Sequence, residues 1–375
     1  MRITILQGAF FPVPPLRGGA IEKSWFRLGK AFAKKGHHIT HVSRICDGLP
    51  SHETIEGVSH VRIPGFESTG SSLLLKWRDL RYVLRARRVL PQSDILVTNA
   101  FWAPLLVGDS SRGAQYVHVG RYPKGQMKLY GRANRLQSPS EAITAAIRSE
   151  VPSKADMVKT IPYPLSWDVA EKAPANENRE QTILYLGRIH PEKGLRELVQ
   201  AFTGLPEELR TQWRLDLRGP WKASEGGGGK DFLENLKDLA GPAQEAIRFL
   251  DPIFDDVKLR EELGRASLFV YPSMADKGET FGVAALEAMS CGCPPLVSGL
   301  GCFRDFIRDG DTGIVFDHRG SDAQKNLSSK LGEVLREPEK LSRIGQVARK
   351  QSENFTLEKV SKLFLDDFAT LLSSD

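Results

Sequence analysis

Short apolar runs alternate with amphipathic stretches from the first residue onward. Residues 2–8 predict a strand, 20–36 a helix that stops at Gly36, and 38–43 a second strand. Ser93-Asp94-Ile95-Leu96-Val97-Thr98-Asn99 and Ala114-Gln115-Tyr116-Val117-His118 read as two further buried strands. Ser138-Pro139-Ser140-Glu141 opens a helix, with Ser140 as its N-cap and Glu141 in its first turn. Strands alternating with helices argue for a parallel sheet covered on both faces.

The pattern then breaks and restarts. Residues 161–181 carry Ile161-Pro162-Tyr163-Pro164 and a polar, aperiodic run, and they read as a linker. After it, strands are expected at 182–186, 214–217, 247–250, 268–271 and 295–297, with helices at 193–204, 231–240, 255–264 and 282–291. A second strand–helix series implies a second Rossmann-like domain. Ligands of open α/β sheets bind beyond the carboxyl ends of the strands, so two such domains are expected to face each other across a cleft. Val360, Leu363, Phe364, Phe368 and Leu371 give residues 356–374 a helical spacing.

Length and composition bound the class. A chain of 375 residues with 41% hydrophobic and 26% charged residues fits two soluble globular domains. Its opening, Met1-Arg2-Ile3-Thr4-Ile5-Leu6, reads as a strand rather than a signal peptide, and no run approaches the roughly 20 apolar residues that span a bilayer. The four cysteines, Cys46, Cys291, Cys293 and Cys302, supply no disulfide framework, and Cys291-x-Cys293 lacks partners at zinc-ligand spacing. A cytoplasmic, metal-independent protein is expected, peripheral on the inner face of the cell membrane.

The net charge of +6 is unevenly placed. Residues 1–165 hold 24 Lys and Arg against 11 Asp and Glu, whereas the remainder is acidic on balance. Such a split suits a first half that meets something anionic. Within it, residues 73–90 form a basic amphipathic helix: Leu73, Trp77, Leu80 and Leu84 share a stripe, flanked by Arg78, Arg81, Arg85 and Arg88. That geometry fits an anionic membrane surface with Trp77 as anchor; a core-packed helix with a solvated basic edge is the alternative.

Four segments carry candidate chemistry. Glu279-Thr280-Phe281-Gly282-Val283 leads into a helix with Glu287 just over one turn inside it; the free N–H groups of a helix start suit a diphosphate, and the carboxylates suit sugar and ribose hydroxyls. Gly187-Arg188-Ile189-His190-Pro191-Glu192-Lys193-Gly194 places a guanidinium and an ammonium at a strand end, where two cations can neutralise a leaving pyrophosphate. Gly18-Gly19-x-x-Glu22 lies between the first strand and first helix and permits close approach of an anion. His118 ends a strand. Neither a P-loop nor a dinucleotide fingerprint is present, and no aromatic-basic stacking motif points to nucleic acid.

Taken together these segments resemble glycosyltransferase family 4. Glu279-x7-Glu287 matches the family's paired glutamates, Gly187-Arg188…Lys193-Gly194 its phosphate-binding signature, Gly18-Gly19 its N-terminal glycine loop, and Val117-His118 its strand-end histidine. Thr280 stands where Gly is common, and Leu217-Arg218-Gly219 departs from the usual strand-Gly-x-Gly. The resemblance implies the GT-B architecture: an acceptor-binding domain at 1–165, a nucleotide-sugar domain at 166–355, and a C-terminal helix at 356–375 crossing back to the first domain. It implies that Arg188 and Lys193 bind the diphosphate, that Gly18 and Gly19 close over it, and that Glu279 with the backbone of Phe281, Gly282 and Val283 holds the donor sugar and phosphate. Glu287 is implied to bind ribose, and His118 to lie near the reacting sugar. A retaining hexosyl transfer follows from the same resemblance, from UDP-sugar first and GDP-sugar second, to a glycan or lipid-linked acceptor of cell-surface polysaccharide synthesis. A nucleotide-sugar epimerase of the same fold, or a non-catalytic nucleotide-sugar or nucleic-acid binder, is the competing reading.

Overall fold

A computed structural model of the chain describes residues 1–16, 19–168, 179–320 and 322–373. Of the expected linker, residues 169–178 lie outside the described residues, as does Gly18 of the glycine loop. Two compact units are formed: Met1–Ser166 together with Leu357–Asp375, and Trp167–Thr356.

The first unit is built on an eight-stranded sheet of β1 (Arg2–Leu6), β2 (His38–Arg44), β3 (His52–Ile55), β4 (Val58–Ile63), β5 (Ile95–Thr98), β6 (Ala114–His118), β7 (Arg135–Ser138) and β8 (Val158–Thr160), in the order β3-β4-β2-β1-β5-β6-β7-β8. All neighbours are parallel except β3 and β4, an antiparallel hairpin turned at Glu56-Gly57, both at positive φ. Alternation along each strand sorts the side chains. Ile3, Ile5, Ile39, Val97 and Tyr116 face α1 (Ala20–Lys34) and the C-terminal helix Leu357–Ser373, meeting Trp25, Leu28, Phe32, Phe364 and Phe368. Leu6, Val42 and Leu96 face the opposite layer, where α2 (Ser72–Ala86) supplies Tyr82, Val83 and Ala86.

The C-terminal helix is fastened by more than apolar contact. Its Asp367 is buried, accepts from the Tyr116 hydroxyl at 2.9 Å and pairs with Arg135 at 2.9 Å. A carboxylate removed from water costs several kcal/mol unless it is paired and hydrogen-bonded, and here both partners come from strands of the sheet.

The second unit carries six parallel strands, β9 (Glu180–Leu186), β10 (Arg214–Arg218), β11 (Ile247–Leu250), β12 (Ala266–Tyr271), β13 (Pro295–Ser298) and β14 (Ile314–Phe316), ordered β11-β10-β9-β12-β13-β14. The order reverses beside β9, the first strand of the unit, which is the arrangement that leaves a ligand crevice at the carboxyl ends of β9 and β12.

Candidate active site

The carboxyl end of β9 and the loop after β12 bring three of the expected residues, Arg188, Lys193 and Glu279, into one network. Lys193 is buried, with its Nζ donating to Glu279 Oε2 at 2.7 Å and lying 5.4 Å from the centre of the Tyr271 ring. The Tyr271 hydroxyl donates to the same Glu279 oxygen at 3.2 Å. Arg188 is half-exposed; its Nη2 donates to Glu192 Oε1 at 2.6 Å and its Nη1 to the Gly226 carbonyl at 2.7 Å. Glu192 also lies 4.0 Å from Lys193, so one carboxylate touches both cations. Its role was not anticipated from the sequence, since the segment from Arg188 to Glu192 is a loop and a single 3-10 turn, where no helical spacing marks the pair.

Buried hydroxyls hold this network in shape. Tyr185 and Tyr271 stack at 5.8 Å, and Tyr185 donates to the Arg188 carbonyl at 2.8 Å. Burial, and after it the Glu279 charge, drives both phenols well above their ordinary pKa, so they remain donors. The loop that carries Glu279 is tied to the Arg188 segment by Met274 N–H donating to the Glu192 carbonyl at 3.0 Å.

The helix Val283–Ser290 starts at Gly282, which has φ of 88° and whose missing side chain leaves room for the Phe303 ring. A Cβ at Gly282 would be strained and would overlap that ring, so the helix mouth can exist only with glycine there. The Phe281 ring is core, 5.1 Å from Phe306, which leaves its backbone alone to meet a ligand. Val283 is half-buried at the first turn, and Glu287 is buried one turn further in.

The remaining expected residues belong to the first unit. Gly19 precedes α1 with φ of 100°, and a Cβ there would overlap the Glu22 carboxylate. Glu22 is itself buried, and burial raises its pKa. His118 is buried at the end of β6, its ring edge-on to Trp25. Both of its nitrogens are engaged: Nδ1 lies 2.5 Å from Gln137 Oε1 and Nε2 2.8 Å from the Tyr163 hydroxyl. The Gln137 amide is oriented by its own N–H donating to the Ile161 carbonyl at 2.7 Å. Nδ1 therefore donates and Nε2 accepts from Tyr163, a neutral imidazole whose pKa is lowered by burial to about 4. Gly120 leaves open the space beside Nε2, since a Cβ there would come within 2.7 Å of it.

On α2 the apolar stripe faces solvent. Leu73, Trp77 and Leu84 are 79%, 51% and 45% exposed, while Asp79, Tyr82, Val83 and Ala86 form the buried side. The four arginines divide. Arg78 and Arg85 donate to the Glu67 and Pro64 carbonyls and flank the Phe66 ring, so they hold a loop. Arg81 and Arg88 are exposed, Arg81 lying over Trp77 at 4.8 Å. No helix among the described residues is long and apolar enough to cross a membrane.

Cys291 and Cys293 are buried thiols, pushed by burial up to about 11 and about 12. Among the described residues no three His, Cys, Asp or Glu side chains are grouped to hold a metal ion.

Comparison with known proteins places this geometry in context. The family described as "Glycosyl transferases group 1" matches residues 168–351. A D-inositol 3-phosphate glycosyltransferase of Gordonia bronchialis is 28% identical over 213 residues, which are 55% of this chain and 44% of that relative. The match thus spans less than half of that relative's length. A lipopolysaccharide 1,2-N-acetylglucosaminetransferase of Salmonella typhimurium is 24% identical, with 81% of each chain covered. Among solved structures, the sucrose-phosphate synthase of Thermosynechococcus elongatus superimposes with a TM-score of 0.80 at 19% identity, over the full length of both chains. The fold is GT-B.

Proposed function

We propose that the chain is a retaining, metal-independent hexosyltransferase using a nucleotide diphosphate-sugar, a reading that the match of residues 168–351 to the glycosyl transferases of group 1 supports. The observation that carries this reading is the joining of Arg188, Lys193 and Glu279 at the mouth of the helix Val283–Ser290. A diphosphate entering there exchanges Glu192 for itself on Arg188 and shares Lys193 with Glu279. Glu279 then accepts from hydroxyls of the donor sugar, and Glu287 from the ribose.

In the reaction the bond from C1 of the sugar to the diphosphate oxygen breaks and charge grows on the leaving group. Arg188 and Lys193 stabilise that charge more than they stabilise the intact donor, which is the difference that lowers a barrier. The acceptor oxygen bonds to C1 on the same face, and its proton passes to the departing phosphate. The chain's own cations supply the neutralisation for which a metal would otherwise serve. His118 is neutral, and its Nε2 can accept from a ligand hydroxyl only by exchanging Tyr163 for it, across the gap left by Gly120.

The acceptor we infer is a glycan or lipid-linked head group of cell-surface polysaccharide synthesis, met by a protein lying on the inner face of the cell membrane. Support comes from the solvent-facing Leu73, Trp77 and Leu84 with Arg81 on α2, and from Arg88 in the turn just after it, the helix ending at Ala86 rather than at residue 90, a surface suited to an anionic bilayer. UDP is the first choice of nucleotide and GDP the second. A thermal-shift panel of UDP, GDP, ADP and TDP sugars without added metal tests the reading, because a ligand that binds the native state raises Tm. One of the UDP or GDP sugars is expected to raise it; no rise with any of the four overturns the proposal.

A further inference from the structure

A second cavity lies beyond the donor loop. It measures about 400 Å³ and opens at the carboxyl ends of β13 and β14. Its floor is apolar, formed by the buried Leu300, Phe303, Ile307 and Phe316. Its rim is polar. Arg304 is exposed there and has no hydrogen bond or ion pair among the described residues. His318 is buried in the wall; its Nε2 faces Asp276 Oδ1 at 3.4 Å, while its Nδ1 has no partner. Nδ1 lies close to the bare α-carbon of Gly299, another lining residue: a Cβ there would sit 3.7 Å away. A buried ring nitrogen without a partner is unfavourable, and a bound hydroxyl would relieve it.

These groups describe a ligand. A free guanidinium at the mouth takes a phosphate in a forked, charge-assisted pair. With Nε2–H turned to the Asp276 carboxylate, Nδ1 is an acceptor and asks for a hydroxyl. Two carboxylates also line the rim. Asp309 and Asp317 each accept a backbone N–H, from Val315 at 2.8 Å and Arg319 at 2.9 Å, and their remaining oxygens are again acceptors for hydroxyls. An apolar floor suits the carbon face of a short polyol. We propose that this cavity binds a small phosphorylated polyol, and that filling it weakens the hold of the donor site on nucleoside diphosphate.

The coupling half of the proposal rests on the donor reading of Arg188 and Lys193; the binding half does not. Arg319 lines the cavity and donates to Asp276 at 3.2 Å. Asp276 precedes Glu279 by three residues in one loop, and Glu279 N–H donates to the Ala275 carbonyl at 3.0 Å. A phosphate that draws Arg319 away loosens the loop that presents Glu279. Phe303 gives a second route, since its ring forms the cavity floor on one side and fills the space at Gly282 on the other. Linkage requires the effect to be reciprocal.

Calorimetric titration of the full chain with glycerol 3-phosphate tests this. Parent and Arg188→Ala are expected to bind it, and Arg304→Ala to bind it about tenfold more weakly or worse, in line with the loss of a charged hydrogen bond. Glycerol alone is expected not to bind. In the parent, saturating glycerol 3-phosphate is expected to weaken several-fold the affinity for the nucleoside diphosphate that best raises Tm, and in Arg304→Ala to leave it unchanged. No binding to the parent overturns the site. Binding that Arg188→Ala abolishes and Arg304→Ala retains also overturns it, since the probe then sits on the diphosphate residues. Binding without any change in nucleotide affinity overturns the coupling. If no nucleoside diphosphate binds, the donor reading and the coupling fall together, while the glycerol 3-phosphate result still decides the cavity.

Discussion

The two units handle polarity at their strand ends in opposite ways. In the second, the side chains beyond β9 and β12 are ions that already hold other ions: Arg188 with Glu192 at 2.6 Å and Lys193 with Glu279 at 2.7 Å. In the first, the group beyond β6 is an uncharged chain of hydrogen bonds from Gln137 through His118 to Tyr163, buried and held neutral. Part of its surplus positive charge faces solvent, as Arg81 does on α2. A site built of exchangeable ion pairs can admit a diphosphate without exposing a bare charge beforehand. A buried neutral rack can recognise hydroxyls and shape, and it tolerates charge poorly.

The contrast predicts where substitutions hurt most. Lys193→Ala is expected to lower kcat/KM on the order of 100-fold or more, with Arg188→Ala close behind it, because in the proposed reaction each removes charge that meets the leaving group. Steady-state kinetics on the donor and sugar that emerge from the thermal-shift panel will check this, and near-normal constants in both variants break the comparison at its charged end.

Acid probes the neutral end. His118 and His60 both have pKa values lowered by burial from 6.5 to about 4. Below pH 6.5 the unfolded chain takes up protons that these folded rings refuse, so stability is expected to fall as pH drops from 6.5 towards 4. The slope approaches about 1.4 kcal/mol per pH unit for each ring. Urea unfolding of the parent and of His118→Gln across that range sharpens the point: the variant's curve should be flatter, and equal slopes would remove His118 from the account.

The smallest expected effect concerns the outer charge. Co-sedimentation with phosphatidylserine vesicles should weaken by about 1 kcal/mol for each of Arg81→Ala and Arg88→Ala. Arg78→Ala and Arg85→Ala should matter less for binding, since those side chains hold the Pro64–Glu67 loop. Equal sedimentation of all four variants with the parent denies α2 a membrane role.

Much of the architecture was legible because it is local. Periodicity locates β1, α1, β6 and the strands β9 to β13 of the second unit to within a few residues, and the Ser140 side chain does accept from the Ile143 N–H at the start of its helix. The hairpin of β3 and β4, and the strands β7, β8 and β14, went unread. They are three to six residues long, and β7 carries Arg135, Gln137 and Ser138 rather than an apolar run; its burial comes from its neighbours. The site shows the same division. Arg188, Lys193 and Glu279 stand out by residue type and by position at strand and helix ends. The pairing of Lys193 with Glu279 crosses 86 residues, and that of His118 with Tyr163 crosses 45, so neither leaves a mark in local spacing. Sequence likewise left the facing of α2 open, because an apolar stripe looks the same whether it meets a core or a solvent.

Asp367 has a further consequence, for how the molecule comes into being. Its partners Tyr116 and Arg135 are synthesised more than 230 residues ahead of it, and Phe364 and Phe368 complete a layer whose strands begin at Arg2. A nascent chain emerges amino end first and folds domain by domain as it goes. Here the leading domain must wait, with one flank of its sheet uncovered, until the trailing one has left the ribosome and delivered the closing helix.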